Sequence, residues 1–448
     1  MDVTTSSDKK RIVILGAGFG GIRAAMDVAR GLRRMKLLDK YAVTLVDRNN
    51  CHVFIPLLYK VAARPEPEHE DACTYAIASL VKGTPIEFVQ GDVAAPDPAT
   101  GTVAFRDGRT LRADYLIFSL GSETNYFGIP GLKEHALELK TIESALAVRA
   151  ALQAAFVKGG TVNIVAGGGG PNGIELAAEI RQWADLEERK NPALQAHVSI
   201  VEAMPSILTG FAPRAAAIAR RRLAKLGVEV KTGMKIVNVS ADAITAEAGG
   251  APGSAAQMQS LPFDVFVWTG GTKTPGLLAQ VPLEKDRRGR PMVQSGLACL
   301  PGTAGLAFAP MVYGIGDNVC FMDPKTGRPA PAVAHVAILE GEIAARNILQ
   351  EIEHAEWPSH APRITSYVPA EYPWVIPIGE SWAVAKLGPF VFKGRPGWWF
   401  ARAIEFNYLT MIMPLGRAWR AWRRMAEEKN PQHPSKSADK AKRDQFSA

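Results

Sequence analysis

Cysteine is scarce in this chain. Cys51, Cys73, Cys299 and Cys320 stand far apart in 448 residues, with no Cys-x-x-Cys and no zinc-type spacing. That excludes a disulfide scaffold and predicts four reduced thiols, no metal site and a cytoplasmic setting. No apolar run reaches the roughly 18 residues that a membrane-spanning helix needs. The opening MDVTTSSDKKRIVILGAGFGG has no apolar segment followed by a cleavage site, so no export signal is expected. A disordered chain is excluded by 47% hydrophobic and 21% charged residues, which is ordinary globular composition. The net charge of +8 is unevenly placed, because residues 395–448 carry eleven Lys/Arg against five Asp/Glu. A basic tail on a near-neutral body is a localised electrostatic device.

Glycine, by contrast, is placed with a pattern. RIVILGAGFGGIRAAMDVARGL reads strand, glycine turn, helix, with Gly16-x-Gly18-x-x-Gly21 directly after the β-branched run. These glycines permit a tight turn, and the helix N-terminus offers unpaired N–H groups to a diphosphate. The next strand, YAVTLVD, ends in Asp47, placed to accept from a ribose 2′-hydroxyl. The same grammar recurs in TVNIVAGGGGPNGIELAAEI, with Gly168-x-Gly170-x-x-Gly173, followed by AHVSIVEAMP and its terminal Glu202. A carboxylate there suits a free 2′-hydroxyl and repels a 2′-phosphate, so NADH is favoured over NADPH. The prediction is an α/β protein with two Rossmann-like dinucleotide-binding domains, one inserted in the other. Two such sites usually hold a bound flavin and a diffusing nicotinamide.

Longer motifs carry a resemblance. DRNNCHVFIPLLYKVAA (47–63), YLIFSLGSETNYFGIPG, GGGPNGIELAAEI and VYGIGDN are together similar, over roughly residues 9–425, to the type II NADH:quinone oxidoreductases of the two-dinucleotide flavoprotein superfamily. The resemblance implies that Gly16, Gly18, Gly21, Asp47, Arg48, Gly121, Gly316 and Asp317 hold FAD. It implies that Pro56, Leu57 and Leu58 bear on the isoalloxazine ring. Gly168, Gly170, Gly173, Glu175, Glu202 and Gly270 would hold NADH. Glu175 could touch the nicotinamide, or could merely stabilise its helix end. Cys51, which replaces the family's tyrosine, has no neighbouring cysteine to pair with, so the loop reads as a flavin bed.

The acceptor region departs from the family. Where an Ala-Gln-x-Ala-x-Gln is usual, this chain has AHVAILEG, with His335 and Leu339 at the amide positions, and Lys60 replaces another Gln. His335 could hydrogen-bond or protonate a quinone, or could pack beside the flavin without touching an acceptor. Downstream, WWFARAIEFNYLTMIMPLGRAWRAWRRM (398–425) should break at Pro414 into two helical pieces. On the second, Arg417, Arg420, Arg423 and Arg424 fall on one arc and Leu415, Trp419, Trp422 and Met425 opposite, predicting an in-plane anchor on a lipid surface. A helix packed on the protein's own body, or a dimer seam, are the competing readings.

The expected domains are 9–121 with 286–360 for FAD, 141–272 for NADH, 361–428 for a β-rich section plus anchor, and 429–448 as a disordered tail. A surface loop is expected near 245–260 and an irregular lobe before about 110. The expected activity is NADH to FAD to a membrane quinone, without proton pumping, at the cytoplasmic face of the plasma membrane. A homodimer is compatible with the sequence, and no nucleic-acid partner is expected. The alternatives are a sulfide:quinone reductase, a ferredoxin-type reductase, or a non-catalytic flavoprotein subunit.

Overall fold

The computed structural model describes residues 9–65, 70, 73–249 and 257–426. The tail from 429 and the centre of the insert near 245–260 lie outside the described residues.

Two all-parallel five-stranded sheets organise the chain. In the first, the order is Met311–Gly314, Tyr115–Phe118, Lys10–Leu15, Tyr41–Asp47, Ile86–Gln90. Ile12 to Leu15 are fully buried on both faces, as a central parallel strand with continuous β-branched and apolar residues must be. The chain runs outward from this strand in one direction and then returns to its other side. This reversal leaves a crevice beyond the strand C-termini, where open α/β sheets bind ligands. The second sheet repeats the plan as Leu137–Glu138, Val265–Trp268, Thr161–Gly167, Gln195–Glu202, Val228–Thr232.

Helices Phe19–Met35 and Ala334–Glu356 pack side by side on the first sheet. Their backbones touch, since a Cβ on Gly341 would lie 2.5 Å from the Gly20 carbonyl oxygen. Only glycine allows that approach.

Three expectations need correction. The lobe before residue 110 is not irregular. It contains the antiparallel sheet Val93–Asp97, Thr102–Phe105, Thr110–Arg112, because the Asp97 and Asp107 turns fold it back on itself. The insert near 245–260 is flanked by paired strands, Ala243–Ala248 and Gln257–Pro262, with Ala248 opposite Gln257. Its described part is a ladder, not a loop.

The third correction concerns the basic helix. Pro414 does separate helix Arg395–Ile412 from helix Leu415–Ala426, but the second helix does not keep its two arcs apart. Arg417 donates to the Ser79 carbonyl at 3.0 Å and its hydroxyl at 2.9 Å. Ala418 and Met425 are buried in the core, while Leu415 and Trp419 are 67% and 49% exposed. The buried Arg402 guanidinium explains this tilt: it donates to the Trp422 carbonyl at 2.6 Å and stacks over that indole, drawing Trp422 inward. No helix among the described residues is long and apolar enough to cross a membrane.

Candidate dinucleotide and acceptor site

The two glycine turns have the same construction. Gly16 and Gly168 adopt φ of +102° and +114°, a region that side chains avoid. A Cβ on Gly21 would lie 1.9 Å from the Gly16 carbonyl oxygen, and one on Gly173 would lie 2.0 Å from that of Gly168. At Gly18 and Gly170 a Cβ would meet nothing within 4 Å. The first and third glycines therefore serve the turn, and the middle one leaves space open. Helices Phe19–Met35 and Pro171–Lys190 start at these turns with no acid in the first turn, leaving their N–H groups to an anion.

The strand-end acids are matched as well. Asp47 accepts from the Ala17 N–H at 2.7 Å and the Asn49 N–H at 2.8 Å. Glu202 accepts from the Gly169 N–H at 2.6 Å and the Met204 N–H at 2.7 Å. Each carboxylate is thus pinned beside its turn with lone pairs to spare for a ribose.

One cavity of about 1410 Å³ lies between the sheets. That exceeds the usual ~300–1,000 Å³ of a single-ligand pocket. Gly16, Gly18, Asp47, Arg48, Gly121, Gly316 and Asp317 line it, as do Pro56, Gly170, Glu175 and His335. Gly21, Gly168, Gly173 and Gly270 stand behind the wall and shape it. A Cβ on Gly270 would strike the Trp268 ring at 2.3 Å. Glu202 stands outside the cavity, beside the exposed Met204. Leu57 and Leu58 are 3% and 1% exposed and point into the core, so Ile55 and Pro56 present the apolar surface instead. The 3₁₀ turn Ile55–Leu57 leaves Ile55 and Pro56 outside and turns Leu57 inward.

Several groups that pattern reading missed complete the wall or brace it: Ser122 and Lys140 line the cavity, while Glu340 and Asn318 stand behind it. Glu340 accepts from the Gly316 N–H at 2.6 Å, and its burial pushes the carboxyl up to about 8. Asn318, fully buried, accepts from the Gly121 N–H at 3.2 Å. Ser122 bridges Asp317 at 3.1 Å and Lys140 at 2.8 Å. Glu340 lies directly after the altered acceptor motif, and its adjacency to Gly341 was the available signal.

Glu175 sits in the second turn of its helix and not at the open end, 7% exposed. Burial, then the nearby Glu179 charge, raises its carboxyl well above the usual range, with Lys60 opposing. Helix stabilisation by a surface carboxylate does not describe this residue. Lys60 itself is buried, on the short helix Leu58–Ala62. From the C-terminal side, Glu405 lines the same cavity and is ion-paired to Arg402.

His335 stands at the start of helix Ala334–Glu356, exposed at the cavity wall, its ring centroid 4.6 Å from that of Tyr372. Desolvation lowers its pKa, which favours the neutral imidazole. Of the four cysteines, Cys51 alone lines the cavity among the described residues, and burial raises its thiol.

The residues present fit two dinucleotides: two anion-ready helix starts, two open middle glycines and two strand-end acids. The chain is similar to the type II NADH:quinone oxidoreductase of Mycobacterium tuberculosis, 28% identical over 90% of this chain and 84% of that protein. The fold is shared with NDH2 of Plasmodium falciparum, solved in complex with NADH, at 17% identity and a TM-score of 0.77, covering 95% of this chain and all of that one. It is also shared with the sulfide:quinone oxidoreductase of Aquifex aeolicus, at 18% identity and a TM-score of 0.72, covering 93% and 92%. The pyridine nucleotide-disulphide oxidoreductase family matches residues 10–341, nearly three-quarters of the sequence, and the chain belongs to that family.

Proposed function

We propose that this protein is a peripheral membrane flavoenzyme that moves a hydride from NADH to FAD and two electrons onward to a membrane quinone, without proton pumping. The observation that carries this reading is the pair of matched glycine turns flanking one continuous cavity, whose further wall is the C-terminal helix Arg395–Ile412. Residues 9–121 with 286–360 form the FAD-binding part and 141–272 the NADH-binding part. FAD, when bound, supplies the hydride acceptor and two-electron donor chemistry.

The chain's own residues do the rest. The Gly16–Gly21 turn and the helix behind it would hold the flavin diphosphate, with Asp47 on the ribose and Asp317 toward the ribityl chain. The Gly168–Gly173 turn and Glu202 would hold NADH and disfavour a 2′-phosphate. NADH, quinone and one proton give NAD⁺ and quinol, so the site must admit a proton. Glu175, whose carboxyl burial raises well above the usual range, is placed to hold one at the cavity wall. His335, favoured neutral, serves as a hydrogen-bond donor to a quinone oxygen and not as its acid.

The exposed Leu415, Trp419 and Trp399 support attachment to lipid through residues 398–425. We place the protein at the cytoplasmic face of the plasma membrane, where quinone is collected. A sulfide-oxidising reading needs two redox thiols at the flavin, and a single cavity-lining cysteine weighs against it.

The test is anaerobic. NADH should bleach the flavin's visible band and a soluble ubiquinone analogue should restore it. Bleaching without restoration would remove the quinone from this reading, and no bleaching would remove the NADH site.

A further inference from the structure

A second cavity, of about 310 Å³, lies between helix Pro213–Leu226 and strand Phe390–Gly394 and shares no lining residue with the first. The helix contributes Arg214, Ala217, Ile218 and Arg221, spaced i, i+3, i+4 and i+7, which is one continuous face. The strand contributes Val391 and Lys393, two residues apart and so on one side of the pleat. The pocket therefore has an apolar floor of Ala217, Ile218 and Val391 and three cations around it.

Among the described residues no carboxylate lines the pocket. Neighbouring Arg222 is taken by Glu380 at 2.9 Å, whereas Arg214, Arg221 and Lys393 are exposed and form no ion pair among the described residues. Three like charges around one small hollow repel one another unless an anion sits between them.

The same strand carries a second signal. Its hairpin partner is Ala383–Leu387, and the pair closing the tip is Leu387 opposite Phe390. These two are 51% and 73% exposed. An apolar fingertip beside an apolar-floored cationic pocket suits an amphiphile better than a free ion. The tip enters hydrocarbon while the cations meet phosphate.

We propose that this pocket binds the phosphate of an anionic phospholipid headgroup, making the seam between the inserted lobe and the 383–394 hairpin a second point of lipid contact. It is distinct from residues 398–425 and stands whatever the electron acceptor is.

The test uses the full flavin-loaded chain and vesicles of phosphatidylcholine alone or mixed with phosphatidylglycerol, read by co-sedimentation. The pocket variant is Arg214→Gln with Arg221→Gln and Lys393→Gln. A control removes equal charge from exposed sites outside the pocket: Arg220→Gln, Lys225→Gln and Lys235→Gln. The wild type should bind more tightly when phosphatidylglycerol is present. The pocket variant should lose about tenfold or more of that gain, and the control less than about threefold. Equal losses, or no gain in the wild type, would overturn the proposal. So would calorimetric binding of inorganic phosphate that the pocket variant abolishes while vesicle binding persists. Wild-type binding only to the mixed vesicles, lost in the pocket variant, would keep the pocket and remove the anchor reading.

Discussion

The Tyr408 hydroxyl lies 2.8 Å from Nε2 of the buried His52, whose Nδ1 lies 2.9 Å from the Ala17 carbonyl oxygen. A carbonyl can only accept, so Nδ1 carries the proton and Nε2 accepts from tyrosine. The C-terminal helix is thereby tied, through one imidazole, to the turn that would cradle the flavin diphosphate. Replacing Tyr408 with phenylalanine leaves a buried acceptor unsatisfied, which costs about 1–3 kcal/mol. Thermal unfolding should report a lower midpoint for Tyr408→Phe, with flavin released earlier than in the wild type.

The same histidine predicts an acid weakness. Burial lowers its pKa from 6.5 to about 4, so the unfolded chain binds the proton more readily. The stability it contributes is complete above the unfolded value and drains away as pH falls from there to about 4, a loss on the order of 3 kcal/mol. Urea midpoints measured across that window should fall less steeply for His52→Gln. Parallel slopes would remove the assignment.

Glu175 should separate the two half-reactions. Glu175→Gln is expected to bleach with NADH within about threefold of the wild-type rate, and to slow reoxidation by quinone about 100-fold. Reoxidation by the wild type should decline as pH rises through the raised carboxyl, and the variant should lack that decline. Stopped-flow absorbance at both steps decides it.

Alanine at the glycines should give opposite failures. Gly18→Ala has room and should fold with near-normal stability yet hold little flavin, because its methyl projects into open cavity. Gly21→Ala must displace backbone and should cost several kcal/mol, roughly the scale of severe core mutations. Flavin content and unfolding midpoint, measured on both, distinguish space kept for a ligand from space needed by the fold.

Glu202→Gln loses the charge that repels a 2′-phosphate; it also keeps only one acceptor oxygen, where Glu202 offers one to the Gly169 N–H and the other to the Met204 N–H. The preference for NADH over NADPH should shrink by about tenfold in kcat/KM, equivalent to ~1.4 kcal/mol. An unchanged ratio would place the discrimination elsewhere.

Much of this was legible because it is local. Gly16 to Gly21 and Asp47 follow one another through a strand, a turn, a helix and a strand, so their meeting is dictated by short-range geometry. Pro414 announces a helix break for the same reason. What escaped notice depends on distant segments: Glu340 reaching Gly316, Tyr408 reaching His52, Arg402 pulling Trp422 inward. The helical arc of residues 415–426 was misjudged because periodicity ranks side chains by polarity and is blind to Arg417 finding Ser79. Leu57 was placed on the wrong side because a single 3₁₀ turn is enough to rotate a neighbour out of the cavity.

Strand Met311–Gly314 closes the first sheet only after the entire second sheet has been threaded through the chain. On the ribosome, the N-terminal glycine turn emerges early, but its sheet still lacks the edge strand beside Tyr115–Phe118, and the turn lacks the helix whose Gly341 meets Gly20 and whose Glu340 holds Gly316. The inserted sheet, whose strands are all contiguous within residues 137–268, can condense first. Flavin loading is therefore expected to come late in biosynthesis, and a chain arrested before residue 311 would present the folded inserted sheet attached to an open sheet edge.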